Sequence, residues 1–180
     1  KSLNLSKWDT KAFVISYSMF QNCKMLETIG DTTNWNLSNL SNPTYMFTDC
    51  QSLKYLNTQN WSMKSAGDLQ FIFDNCFTLD NIDVSKWDVS NATNIEWLFN
   101  KCYKMTLIDV SNWNVSKVTN MQGAFANTTS LSTLDVSKWN VSNVTDLSYM
   151  FNHASSLKAI GVDKWDVSNC KTLELTFMGC

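Results

Sequence analysis

Apolar and polar positions along this chain follow two rhythms that alternate within one repeating unit. The clearest unit begins at Leu131, where Leu134 and Val136 alternate with Asp135 and Ser137. Period-two patterning of this kind predicts a short, half-buried strand. Beyond Trp139 the spacing lengthens to threes through Val141, Val144 and Leu147. From Thr145 onward, Leu147, Met150, Phe151 and Ala154 fall at i, i+3, i+4 and i+7, the apolar stripe of a short helix. Thr93 with Glu96 and Thr119 with Gln122 match the capping-box spacing that starts a helix, and Thr145 occupies the same column. Each unit thus predicts a strand, a corner at the tryptophan, an extended stretch and a two-turn helix.

The unit recurs on a fixed period. Trp8, Trp35, Trp61, Trp87, Trp113, Trp139 and Trp165 are separated by one gap of 27 residues and then by 26, and a phenylalanine follows each tryptophan by twelve residues. Such a period is the mark of stacked coils, each touching only its neighbours. The leading L-x-x-L-x-[VL] has the form of a leucine-rich-repeat strand. The expected fold class is therefore an α/β repeat solenoid, leucine-rich-repeat-like, with a parallel β-sheet on one face and short helices on the other. Residues 1–180 read as a single array of about seven 26-residue coils, expected to be a segment of a longer protein, because Lys1 and Cys180 both fall inside a repeat. The N-terminal third is expected to be less regular. It carries an extra residue at Gly30-Asp31-Thr32-Thr33-Asn34, Pro43 near a helix start, Asn57 and Thr58 in a strand, and Gly67 in place of a threonine.

Composition narrows the functional classes. The chain is 44% hydrophobic and only 17% charged, so a continuous core is affordable and the surface rests on Ser, Thr and Asn. A net charge of −2 with no basic run gives no electrostatic reason to expect nucleic acid. No apolar run approaches the length of a membrane span, so no membrane insertion is expected of this segment. No glycine-rich phosphate loop, nucleophile elbow or zinc helix is present, and the lone His153 has no spaced nucleophile beside it. The expectation is a protein that is not an enzyme.

The units "LIDVSNWNVSKVTNMQGAF" and "LDVSKWNVSNVTDLSYMFNHASSL" resemble the BspA-like leucine-rich-repeat proteins of bacterial surfaces. The resemblance covers essentially the whole chain and is strongest from Leu79 to Leu173. It implies a secreted, wall-associated protein, of a kind found in commensal lactic-acid bacteria or mycoplasmas and discussed as adhesins. It carries no binding residue across.

Candidate contact residues come instead from the outward strand positions. Asp83, Asp109 and Asp135 form one column, followed two residues on by Ser85, Ser111 and Ser137, and Tyr55 places an aromatic on an otherwise polar face. Like charges so close need relief from neighbouring lysines and water, from a cationic ligand group, or from calcium. Calcium wants six to eight oxygens that a flat ladder does not offer, and no cofactor is expected. The tryptophan column reads as core, with each indole N–H on a corner carbonyl. The cysteine column (Cys23, Cys50, Cys76, Cys102, Cys180) alternates with Thr128 and Ala154, a small buried slot needing no disulfide. The expected function is an extracellular, cell-surface or cell-wall binding module of an adhesin, contacting host glycoprotein, mucin or extracellular-matrix protein through the outward face. The alternatives are a structural spacer, or a polysaccharide-binding solenoid that uses exposed tryptophans.

Overall fold

A computed structural model describes residues 1–180. The chain winds into seven coils, 1–25, 26–52, 53–78, 79–104, 105–130, 131–156 and 157–180, each holding one tryptophan and one phenylalanine of the two columns. Equivalent residues of successive coils meet in parallel single-residue bridges, along Tyr55, Asn81, Leu107 and Thr133 on one side and along Asp68, Asn94, Asn120, Asp146 and Thr172 on the other. The rings stack in register. Tryptophan centroids lie 5.7–6.5 Å apart and phenylalanine centroids 5.0–6.1 Å apart from coil to coil.

This architecture corrects the expected α/β solenoid with a sheet and helices. No helix forms, and the parallel pairing never extends beyond isolated bridges. The expected helical stripe is indeed buried, since Leu147, Met150, Phe151 and Ala154 are at most 1% exposed. Its backbone, however, is a run of overlapping tight turns. Within 95–102, Leu98, Asn100 and Cys102 donate their N–H groups three residues back. The intervening Ile95, Trp97, Phe99 and Lys101 donate theirs to Asn120, Gln122, Ala124 and Ala126 of the next coil at 2.8–3.0 Å. The physical reason is spacing. Packed helices need about 8–10 Å between axes, whereas strand-like backbones stack at about 4.8 Å. A phenylalanine stack near 5.6 Å, as between Phe73 and Phe99, leaves no room for a helix per coil.

Such alternation requires left-handed backbone at two points per turn run, four residues apart. Tyr45 and Asp49, Phe71 and Asn75, Trp97 and Lys101, Gly123 and Asn127, and Tyr149 and His153 all have φ near +50° to +63°. Non-glycine residues pay about 1–2 kcal/mol each in this region, offset here by the ladder bonds that the geometry permits. The expected threonine caps start nothing. Asn94 Oδ1, Asn120 Oδ1 and Asp146 Oδ1 instead accept the N–H two residues on and open each turn run, while the Thr93, Thr119 and Thr145 hydroxyls donate to the preceding coil.

The expected sheet side is the less bonded one. No backbone N–H of 80–84 or 106–110 donates to a neighbouring coil. That side is held by the core beneath it, by the hydroxyl of Thr58 on the Asp83 carbonyl, and by the indoles. Trp113, Trp139 and Trp165 donate Nε1–H to the carbonyls of Val84, Val110 and Val136 in the coil before, at 3.0–3.2 Å. Irregularity falls where the sequence placed it. The bridge between Asn42 and Asp68 is missing because Pro43 has no N–H for the Asp68 carbonyl, and buried Trp61 Nε1, which follows the coil with the extra residue, has no partner.

Loss of one ring from the middle of the stack should therefore be far more costly than loss at its end. Phe99→Ala is expected to destabilise the chain by about 3–5 kcal/mol in denaturant unfolding. Phe177→Ala, at a position 48% exposed, is expected to cost under about 1 kcal/mol.

Candidate functional site

The outward residues chosen from sequence gather on one face. Asp83, Ser85, Asp109, Ser111 and Asp135 line an open depression of about 560 Å³ whose floor is Ile82 and Ile108 and whose rim includes exposed Leu107. Tyr55 lines an adjoining hollow of about 160 Å³ that shares Asn81 and Asp83 with the first. Ser137 lies outside both and packs beside Gly161. The depression forms where the coils lack a backbone ladder, which links its shape to the fold.

Each aspartate in the row has a local task. Oδ1 of Asp83, Asp109 and Asp135 accepts both the backbone N–H and the hydroxyl of the serine two residues on, with O···O distances of 2.6, 2.7 and 2.6 Å. The side chains of Ser85 and Ser137 hold the Asp83 and Asp135 carboxyls below the usual carboxylate range, with Lys86 and Lys138 adding smaller attractions. Each carboxylate uses Oδ1 for this cap and leaves Oδ2 for another partner. The only ion pairs in the chain are at Glu27, which meets Lys54 at 2.8 Å and the N-terminal ammonium at 3.2 Å. No three His, Cys, Asp or Glu side chains come together in an arrangement that could hold a metal ion.

The other candidates resolve into structure. Trp35, Trp61, Trp87, Trp113 and Trp139 are 1–4% exposed, so this ladder is core. Cys50, Cys76 and Cys102 are buried free thiols whose Sγ–H groups point at the carbonyls of Phe20, Phe47 and Phe73. Burial pushes Cys50 up to about 12 and raises Cys76 and Cys102 as well, which keeps all three as unreactive thiols. His153 is exposed at a left-handed turn position. Asn39, Asn91 and Asn143, which head Asn-x-Ser/Thr triplets, donate their side-chain amides to carbonyls of the preceding coil at 2.8–3.0 Å.

One feature escaped the sequence reading, a buried polar chain in which Asn127 donates to Asn100, Asn100 to Asp74 Oδ1, and Asn75 to Asp74 Oδ2. Trp97, off the tryptophan period, shares a sequence column with Tyr45 and Tyr149 and is expected there to be partly exposed; in the structure these three and Phe71 form a half-exposed aromatic strip on the turn side. A usable signal existed in the column Asn22, Asp49, Asn75, Asn127 and Gly179, because Asn, Asp and Gly are the residues that tolerate left-handed backbone.

Taken together, the arrangement defines a repeat protein that presents extended, shallow faces. No helix is long and apolar enough to cross a membrane. The family model described as "Mycoplasma protein of unknown function, DUF285" matches residues 1–81 and again residues 67–180, so the chain belongs to that family. The match is consistent with a repeat-containing surface protein. No curated protein and no solved structure matches the chain.

Asp74 yields a pH prediction. Burial pushes its carboxyl up to about 6, against the opposing pull of the Asn100 amide and Lys101, with Asp49 adding repulsion. The folded state thus keeps a proton that the unfolded chain releases near pH 4. The resulting stability is fully present below that pH and declines as pH rises to about 6, by roughly 2–3 kcal/mol in all. Asp74→Asn is expected to flatten this decline in denaturant melts run across pH 4–7.

Proposed function

We propose that this chain is a non-enzymatic binding module of a bacterial surface adhesin, of the BspA-like kind, displayed extracellularly at the cell surface or wall. Its contact face is the open depression along Asp83, Asp109 and Asp135, with Tyr55 and Leu107 as apolar anchors. The observation that carries this reading is the pairing of exposed apolar side chains, Tyr55 at 55% and Leu107 at 56%, with the row of aspartates on one face. Interfaces favour aromatic anchors such as Tyr55 ringed by polar groups. The partner class is host glycoprotein, mucin or extracellular-matrix protein that offers basic side chains to the carboxylates. Weak contacts on each module would gain strength from many copies on one cell.

Calcium has no part in this reading, and Trp35, Trp61, Trp87, Trp113 and Trp139, at 1–4% exposed, present no surface for a sugar track. A structural spacer is the competing role, favoured by the uniformity of the coils. The test is binding of the soluble chain to immobilised mucins and matrix proteins at low and physiological salt. Saturable, salt-weakened binding that falls at least about tenfold in the Asp83→Asn/Asp109→Asn/Asp135→Asn variant is expected. Asparagine keeps the oxygen that caps each serine turn, so the variant removes charge without removing the cap. Silence across the panel from a folded chain would leave the spacer role.

A further inference from the structure

On the side opposite the acidic face, the turn runs carry two adjacent columns with a different chemistry. One is the aromatic strip, which includes Tyr45, Phe71, Trp97 and Tyr149, all with left-handed backbone. These are bulky side chains at positions where glycine or asparagine would cost less. Beside it runs a column of long polar side chains, Gln70, Glu96, Gln122 and, at its end, Glu174. Neither column contains a lysine or arginine.

Within this strip Trp97 is unlike its neighbours. Tyr45 and Phe71 stack face to face at 4.9 Å and so cover one another. The coil after Trp97 has Gly123 in the same column, and a Cβ placed on Gly123 would fall 2.2–2.5 Å from three indole carbons. The indole therefore lies down over the bare glycine and reaches Tyr149 two coils on, at 6.0 Å between centroids. One face is covered by backbone, and the half-buried ring keeps surface toward solvent. Polar groups fringe it. Asn120 donates to Glu96 Oε2 at 3.1 Å, and Tyr149 Oη donates to Glu174 Oε1 at 3.2 Å.

We propose that the Trp97 indole is the platform of a carbohydrate subsite that takes one pyranose ring of an extended, neutral oligosaccharide. The axial C–H face of a pyranose packs on an indole, and its equatorial hydroxyls reach amide and carboxylate side chains at the ring's edge. Trp97 with Glu96, Gln122 and Tyr149 supplies both. A flat aromatic already held by packing loses little freedom on binding. The absence of cations along the strip disfavours phosphate, sulfate and nucleic-acid ligands. The subsite lies on a different face from the acidic depression and does not depend on its role.

The test is titration of the 180-residue chain with soluble neutral oligosaccharides (β-linked glucose, galactose and N-acetylglucosamine oligomers), followed by the NMR indole N–H signals. Saturable movement of the Trp97 signal, with the ladder signals unmoved, is the expected result. Trp97→Ala, followed by titration calorimetry because it removes the reporting indole, should weaken binding about tenfold or more, the change that 1.4 kcal/mol of lost contact produces. Gly123→Ala should weaken it too by displacing the indole, and the triple aspartate variant should leave it unchanged. The proposal is overturned if no oligosaccharide moves the Trp97 signal, if binding survives Trp97→Ala, or if only a lysine-rich peptide moves it.

Discussion

One distance governs this molecule, the separation between successive coils, which is that of stacked backbones on both sides of the column. The tryptophan stack on one side and the phenylalanine stack on the other keep nearly the same interval. A helix on either side would spread the coils there to about 8–10 Å and pull the rings apart. Held to the shorter interval, the chain must find a compact backbone that stacks like a strand yet turns like a helix. The overlapping turns meet this demand. Alternate N–H groups close turns within a coil, and the others bond the coil beyond. The consecutive buried residues Leu98, Phe99 and Asn100 then strand no amide, because each N–H has a carbonyl partner.

Left-handed backbone follows from the same constraint, and its cost is spread over cheap and expensive residues. At the second left-handed position of each run the chain mostly places Asn, Asp or Gly, as at Asn75, Asn127 and Gly179. At the first it places Tyr45, Phe71, Trp97 and Tyr149, accepting strain in exchange for an aromatic strip. Gly123 is the exception that lets one of those rings lie flat. The opposite side has no comparable backbone ladder in its central coils, and a shallow depression opens there between Asp83 and Asp135. Two faces of different chemistry thus arise from a single repeating unit.

Much of this was legible in the sequence, and the limits have a physical origin. The buried identity of Trp87 or Phe99 and the disturbance around Pro43 follow from spacing, while Trp8 and Phe177, in the same columns at the two ends, are 41% and 48% exposed. Backbone conformation does not follow from spacing. Leu147, Met150, Phe151 and Ala154 satisfy a helical stripe, and they satisfy a run of turns equally well, because both bring residues three and four apart to one side. What separates the two is the coil-to-coil distance, a tertiary quantity that one repeat does not contain. The outward row of Asp83, Asp109 and Asp135 was likewise found, but its use as a turn cap for Ser85, Ser111 and Ser137 needed coordinates. Trp97 stood out by being off the tryptophan period, and only the glycine one coil on explained its pose.

The claim on which the rest depends is that the backbone ladder lies on the turn side. Amide hydrogen exchange of the folded chain, read residue by residue, tests it most directly. The account predicts alternating protection through the turn runs, strongest at Phe71, Phe73, Trp97, Phe99, Gly123 and Phe125, with fast exchange at exposed Asn81, Asp83, Leu107 and Asp109. Strong protection across 80–84 and 106–110, with uniform helix-like protection through 95–102, would contradict it.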